Sequence, residues 1–263
     1  MNAFAPFTRR LTGVQLWLAV LLLSLLVLAA PQPALALDLS VLKPAVDGTG
    51  PVVTEMHELG RVEALRASTG ARVVVRQGDR HAVEVRGEAN VVPLIELRIE
   101  NGALVVEDAR RFNSSTAEVV VTVRRLAAIA ASGSTAVVAE GLKTRTLSLA
   151  LGGSSTLALR GASLGSLQAA LGGSSALKAS GTAGDLTLDL GGSSVVQADQ
   201  LQAKSATING GGSSQARVWV SEALTLALAG SAGVGYYGAA RPTQATSGSA
   251  SVRYLGPAPA AQP

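Results

Sequence analysis

One short segment recurs along this chain at a nearly constant interval, and that regularity restricts the fold more than any other property of the sequence. Residues 151–155, 171–175 and 190–194 read LGGSS, residues 210–214 read GGGSS, and weaker copies begin at Ser132, Ala229 and Ser247. Aligned on the glycine before the first serine, the anchors are Gly133, Gly153, Gly173, Gly192, Gly212, Gly230 and Gly248, spaced 20, 20, 19, 20, 18 and 18 residues apart. A serine follows every one: Ser134, Ser154, Ser174, Ser193, Ser213, Ser231 and Ser249. Self-similarity at a fixed period is the mark of stacked repeats, each too small to bury its own apolar face.

The flanks keep the same phase. Four and six residues after the anchors stand pairs such as Leu157/Leu159, Leu177/Ala179 and Val196/Ala198. Six, four and two residues before stand triplets such as Leu147/Leu149/Leu151, Leu186/Leu188/Leu190 and Leu224/Leu226/Leu228, with Ala127/Ile129/Ala131 a weaker version. An apolar period of two means strands with one buried face. Asp185, Thr187 and Asp189 alternate with the leucines of one triplet, as a solvated face requires. Two short strands per repeat, with a bend at Gly-Ser-Ser, make one coil of a solenoid. The expected fold is all-β: a parallel β-helix of about seven coils over residues 127–254, its coils about 4.8 Å apart.

Upstream, residues 57–126 hold much of the charge and alternate less regularly, through Val73/Val75, Val83/Val85, Ile95/Leu97/Ile99, Leu104/Val106 and Val119/Val121/Val123. Asn101-Gly102 between Ile99 and Leu104 reads as a hairpin turn. This region is expected to be an irregular β cap holding the first coils, since a solenoid end left bare is a templating edge. Residues 37–56 read as a linker and 255–263 as a disordered tail. Residues 1–36 read as a secretory signal peptide: Arg9-Arg10, an apolar run, then Ala34-Leu35-Ala36. An uncleaved signal anchor is the alternative. After cleavage no further membrane span is expected, and the chain is placed outside the cytoplasm, in the periplasm, at the cell surface or secreted.

Composition removes several classes of function. The leader holds two of the 22 basic residues and none of the 18 acidic ones, which leaves a net charge of +2. That is too weak for an electrostatic nucleic-acid partner. The chain has no cysteine, which excludes a disulfide framework and thiolate metal sites. Only His57 and His81 are present, without partners at ligand spacing, so no metal and no cofactor are expected. Both read as surface histidines. Asp185 and Asp189 share one strand face, the arrangement a glycoside hydrolase or a calcium site would use. No acids accumulate beside them in neighbouring coils, and no catalytic residue is assigned.

The run of residues 61–90 (RVEALRASTGARVVVRQGDRHAVEVRGEAN), then 95–108 (IELRIENGALVVED), then stacked Gly-Ser turns resembles the putative auto-transporter adhesin, head GIN domain family. The resemblance implies a right-handed β-helix, pectin-lyase-like in shape, with no catalysis and a role in adhesion. The family's turn reads Gly-Ser-Gly-Asp before an aliphatic residue. Gly153-Ser154 and Leu157 match it, whereas Ser155 and Thr156 replace the second glycine and the aspartate. The other coils carry Ala136, Ala176, Val195, Gln215, Gly233 and Ser251 at the aspartate position, so no acid serves the turn in any of them.

The serine column is the candidate binding feature. Ser134, Ser154, Ser174, Ser193, Ser213, Ser231 and Ser249 would line one edge, with Ser155, Ser175, Ser194 and Ser214 beside them, and would hydrogen-bond a glycan or a protein surface. Corner chemistry accounts for the same pattern without a ligand: glycine supplies positive φ, and serine bonds the turn backbone. The basic residues Lys143, Arg145, Arg160, Lys178 and Lys204 are offset from one another and read as a solvated face. The expected function is a non-catalytic adhesion or binding module of the cell envelope. The alternatives are an envelope protein that self-associates through its solenoid ends and, behind that, a polysaccharide-active enzyme.

Overall fold

The computed structural model describes residues 44–259; residues 1–43, which include the expected signal segment, and residues 260–263 lie outside them. Along the chain run β1 (Val46–Asp47), β2 (Val52–Glu58), β3 (Ala64–Ser68), β4 (Arg72–Gln77) and β5 (Ala82–Glu88). A single 3₁₀ turn at Val92–Leu94 precedes β6 (Ile95–Glu100), β7 (Ala103–Asp108), β8 (Phe112–Asn113) and β9 (Glu118–Val123). The repeat then supplies β10 (Ala128–Ala131), β11 (Ala136–Glu140), β12 (Lys143–Leu151), β13 (Thr156–Leu171), β14 (Ala176–Leu190) and β15 (Val195–Gly210). It ends with β16 (Gln215–Leu228), β17 (Gly233–Tyr237), β18 (Arg241–Thr246) and β19 (Ser251–Gly256).

From β10 onward every strand pairs in parallel with the strand one repeat away. Leu157 sits beside Leu177, Leu177 beside Val196, and Val196 beside Ala216. The fold is a β-solenoid, and all seven Gly-Ser anchors fall in one column. Period two carries the aliphatic residues inward: Leu147, Leu157, Leu167, Leu177, Leu186, Leu188 and Leu201 are almost wholly buried. The unequal repeat lengths are absorbed away from the Gly-Ser turn. Register breaks fall between Leu159 and Ala162, Lys178 and Ser180, and Ala198 and Gln202, all at the opposite corner of the coil.

At the N-terminal end the parallel stacking continues into the cap. β3 and β4 pair in parallel with β10 and β11, and β7 and β9 pair in parallel with β3 and β4. Both pairs are therefore coil layers, and their order in the stack differs from their order in the chain. The chain enters one layer in, leaves through β5 and β6, and returns as the outer layer β7–β9. It then passes the inner layer to begin β10. What lies beyond is antiparallel: β6 on β7, β5 on β9, and β2 on β5. The β6–β7 turn has Asn101 and Gly102 at φ 50° and 76°, the backbone of a type I′ hairpin. Residues 46–47 and 52–56, read from sequence as linker, instead begin strands β1 and β2, which pair with β8 and β5. Leu255 and Gly256, read as tail, complete β19. At the weak triplet, Ala127 is exposed and the neighbouring Leu126 turns inward in its place.

Candidate functional site

The Gly-Ser corner is built by the backbone. Every anchor from Gly133 to Gly248 has φ between 68° and 73°, a left-handed conformation natural only to glycine. A side chain would also have no room: a Cβ on Gly173 would lie 2.6 Å from the carbonyl oxygen of Gly153, and on Gly192 equally close to that of Gly173. That carbonyl has a partner. The Ser154 N–H donates to Gly133 (2.8 Å), Ser174 to Gly153 (2.8 Å), and so on to Ser249, which donates to Gly230 (2.7 Å). A ladder of six such bonds runs up the column.

The side chains of the two serines in each turn go opposite ways. Ser134, Ser154, Ser174, Ser193, Ser213, Ser231 and Ser249 are all exposed. Their hydroxyls make no hydrogen bond to another group among the described residues, so they stand free along one edge. The second serines were expected beside them and are not there. Ser155, Ser175 and Ser194 are 0% exposed and Ser214 1%, facing the core. The physical reason is parity: Ser155 lies two residues before the inward Leu157, and period two already holds at the end of the turn. Ser155 donates to Ala131 O (3.2 Å) and Ser175 to Leu151 O (3.4 Å), while Ser194 Oγ and Ser214 Oγ have no partner. Ala71 and Thr135 precede Ser155 in this inner column and Ala232 continues it, all three buried. The position requires small volume; a hydroxyl is optional.

Sequence reasoning missed how the ladder starts. The inner cap layer turns at residues 68–71, where Thr69 stands in the anchor column. Gly70 occupies the place of the ladder serines, and its N–H donates to Asp108 Oδ2 at 2.7 Å. Thr69 Oγ1 donates to Asp108 Oδ1 at 2.5 Å and accepts from the Ala71 N–H. A carboxylate thus replaces the glycine carbonyl that no earlier coil provides. Burial pushes the Asp108 carboxyl above the ordinary aspartate range, against the pull of the bonds from Thr69 and Gly70. Thr135 joins this turn to the regular ladder: its hydroxyl accepts from Thr69 N (2.9 Å) and lies 2.8 Å from Ser132 O. Asp108 ends a recognisable strand, but only the stack order brings it beside Gly70.

The other candidates are separate from the column. Asp185 accepts from Ser205 Oγ (2.5 Å) and Asp189 from Asn209 Nδ2 (2.7 Å), each a contact with the next coil on an exposed face. Among the described residues no group of three His, Cys, Asp or Glu is placed to hold a metal ion. His57 is exposed beside Glu55 at 3.6 Å. His81, read as a surface residue, is half-buried, and its Nδ1 is enclosed without a partner. Arg160 and Arg76 flank Glu140 from the coils on either side (3.7 and 3.5 Å). Lys143 pairs in register with Ser163 and Lys178 with Ala158, so the basic residues form no continuous stripe.

A stack of near-identical coils, with an in-register Gly-Ser corner and hydroxyls displayed along one edge, defines a β-solenoid repeat protein. The chain belongs to the family described as putative auto-transporter adhesin, head GIN domain, which matches residues 62–240. Among solved structures, a putative adhesin from Bacteroides fragilis NCTC 9343 superposes with a TM-score of 0.72 at 18% identity, covering 80% of this chain and 100% of that one. A putative adhesin from Parabacteroides distasonis ATCC 8503 gives 0.65 at 16% identity, covering 81% and 100%. A protein from the same strain, titled a putative lipid binding protein, gives 0.66 at 17% identity, with the same coverage. At these identities the likeness establishes the fold. No curated protein matches the chain.

Proposed function

We propose that this protein is an exported, non-catalytic binding module of the cell envelope, acting in adhesion through the outer serine column. One observation carries the reading: seven exposed hydroxyls without internal partners share one edge, six of them on residues held by the backbone ladder. Such a row has the repeat of the stack, about 4.8 Å. It offers donors and acceptors at low ordering cost to a regular ligand, either a glycan or an extended protein segment. Membership of an adhesin-named family and the adhesin titles of the structural neighbours support the reading of an exported or cell-surface binding module. No helix among the described residues is long and apolar enough to cross a membrane.

The test is a polysaccharide and glycan binding screen of the purified protein. It runs beside a variant with Ser154, Ser174, Ser193 and Ser213 changed to alanine and with β content matched by circular dichroism. Binding that disappears in the variant supports the column as a recognition surface. Equal binding by both proteins returns it to corner chemistry.

A second reading rests on the bare edge of β18 and β19, which pair on one side only, with β16 and β17. A row of unpaired strand groups is a template for another chain. Self-association through that edge would appear as concentration-dependent sedimentation, lost when the terminal coil near Tyr254 is altered.

A further inference from the structure

The corner where the cap meets the repeat gathers four arginines around one open hollow of about 580 Å³, lined by Glu58, Leu59, Gly60, Arg61, Glu63, Arg80, His81, Arg124 and Arg125. Three loops that are far apart in sequence form it, and backbone bonds tie each to another. Leu59 N donates to His81 O (3.0 Å), and Ala127 N donates to Glu63 O (2.8 Å). Arg124 Nε donates to Asp79 O (2.5 Å), and Gln77 Nε2 to Arg124 O (2.9 Å). Val62 and Leu126, buried beneath, anchor two of the loops in the core. The hollow is therefore a fixed feature of the crossing between layers.

Its charge is not balanced from within. Arg61 is satisfied by Glu63, but Arg80 and Arg125 have no carboxylate partner among the described residues. Elsewhere in the cap and first coils several arginines of the sheet faces do, Arg72 with Glu118, Arg76 with Glu140, and Arg98 with three glutamates, while Arg66 and Arg86 do not. His81 adds a ring nitrogen enclosed at the same place without a partner. The Cβ direction of Gly60 meets nothing within 4 Å, so the hollow is open on that side. We infer that this corner is a binding site for the oxyanion groups, carboxylate or sulfate, of an acidic polysaccharide, gripped by Arg80 and Arg125. Guanidinium forks match such groups in a bidentate way that a lysine ammonium does not. Leu59 is the one aliphatic side chain in the lining, which gives a bilayer no apolar face to take up. The site shares no residue with the serine column, so loss of either leaves the other standing.

The experiment is calorimetric titration of the purified protein with polygalacturonate and with dextran sulfate at fixed moderate salt. Inorganic sulfate, inorganic phosphate and phosphatidylglycerol vesicles serve as separate arms. The Arg80→Gln/Arg125→Gln protein should lose tenfold or more in affinity for the acidic polymers, and Arg80→Lys/Arg125→Lys, which keeps the charge, should fall between. Arg217→Gln/Arg253→Gln removes the same charge from an open groove near the other end and should change affinity less than threefold. Equal losses in the two glutamine variants would reduce the effect to general attraction and overturn the site. So would absence of polymer binding by the unaltered protein, or binding to vesicles alone. If the glutamine variant does not fold, the lysine variant decides: unchanged affinity there overturns the bidentate grip.

Discussion

The two ends of the stack are finished by different means. At the N-terminal end the outer layer β7–β9 carries antiparallel strands on its edge, and Asp108 closes the turn ladder with a side-chain carboxylate. At the C-terminal end nothing among the described residues pairs with the outer edge of β18 or β19. The inward positions of β18 become polar instead: Gln244 and Thr246 stand in register with the buried Leu226 and Leu228. The neighbouring strand keeps its apolar pattern, and Tyr254, 54% exposed, tilts against Tyr236 with ring centroids 5.3 Å apart. One end is closed by changing strand direction, the other by changing side-chain chemistry within an unchanged backbone.

The largest effect expected from testing this contrast is at the glycine column. Gly173→Ala puts a Cβ against Gly153 in a left-handed residue and should cost about 2–4 kcal/mol in urea unfolding. Gly248→Ala meets the same geometry against Gly230, but no coil follows it among the described residues. Its cost should be under half as large and should appear as faster hydrogen exchange confined to residues 241–256. Equal costs at the two positions would mean that the last coil is as firmly held as the middle of the stack.

The polar end can be undone directly. Gln244→Leu with Thr246→Leu extends the leucine columns to the open face, and the variant should sediment as larger species than the unaltered chain at equal concentration. Unchanged sedimentation would show that those two residues are not what protects the edge.

Asp108→Asn tests the closed end and should cost on the order of 1 kcal/mol, the value of one hydrogen bond to a buried turn. Its pH dependence has a definite sign. Because burial raises the folded carboxyl above its unfolded value, the native state binds the proton more tightly than the unfolded chain does. That contribution is fully present below the ordinary aspartate range and is lost as pH rises through the raised value. The stability gap between the unaltered protein and Asp108→Asn should therefore widen from pH 7 down to pH 4 in paired denaturant titrations. The smallest effect belongs to the inner serines. Ser194→Ala, at a hydroxyl with no partner, should shift stability by less than about 0.5 kcal/mol, while Ser155→Ala should lose roughly 1 kcal/mol with its bond to Ala131.

What the sequence revealed follows the same division. The coils are legible because each residue's neighbour in space is its counterpart one period away, so Leu157, Leu177 and Val196 announce their own column. The inward turn of Ser155 was also available, since it shares parity with Leu157, but a serine beside a glycine turn reads as loop. The layer order of the cap was not legible. β3 lies between β7 and β10 because the chain leaves the stack and returns, and no local pattern in residues 78–102 records that excursion. For the same reason Asp108, Thr69 and Gly70 could not be assembled in advance, nor could the three loops around Arg80 and Arg125.

The glycine ladder gives the stack an electrical direction. In the flanking strands successive peptide groups point to opposite sides and their dipoles largely cancel. At the corner they do not: the N–H groups of Gly172, Ser174 and Ala176 all point to the previous coil, and the Ser155 N–H is used within its own turn, on Gly152. The groups that would oppose the alignment are consumed locally, and peptide dipoles of about 3.5 D add from coil to coil as they do along a helix. The column is positive at the Gly70 end and negative at the Gly248 end. The Asp108 carboxylate stands at the positive pole, the place an acidic side chain takes at the start of a helix, and the outer serines are mounted along an axis that gives any charged ligand a preferred way round.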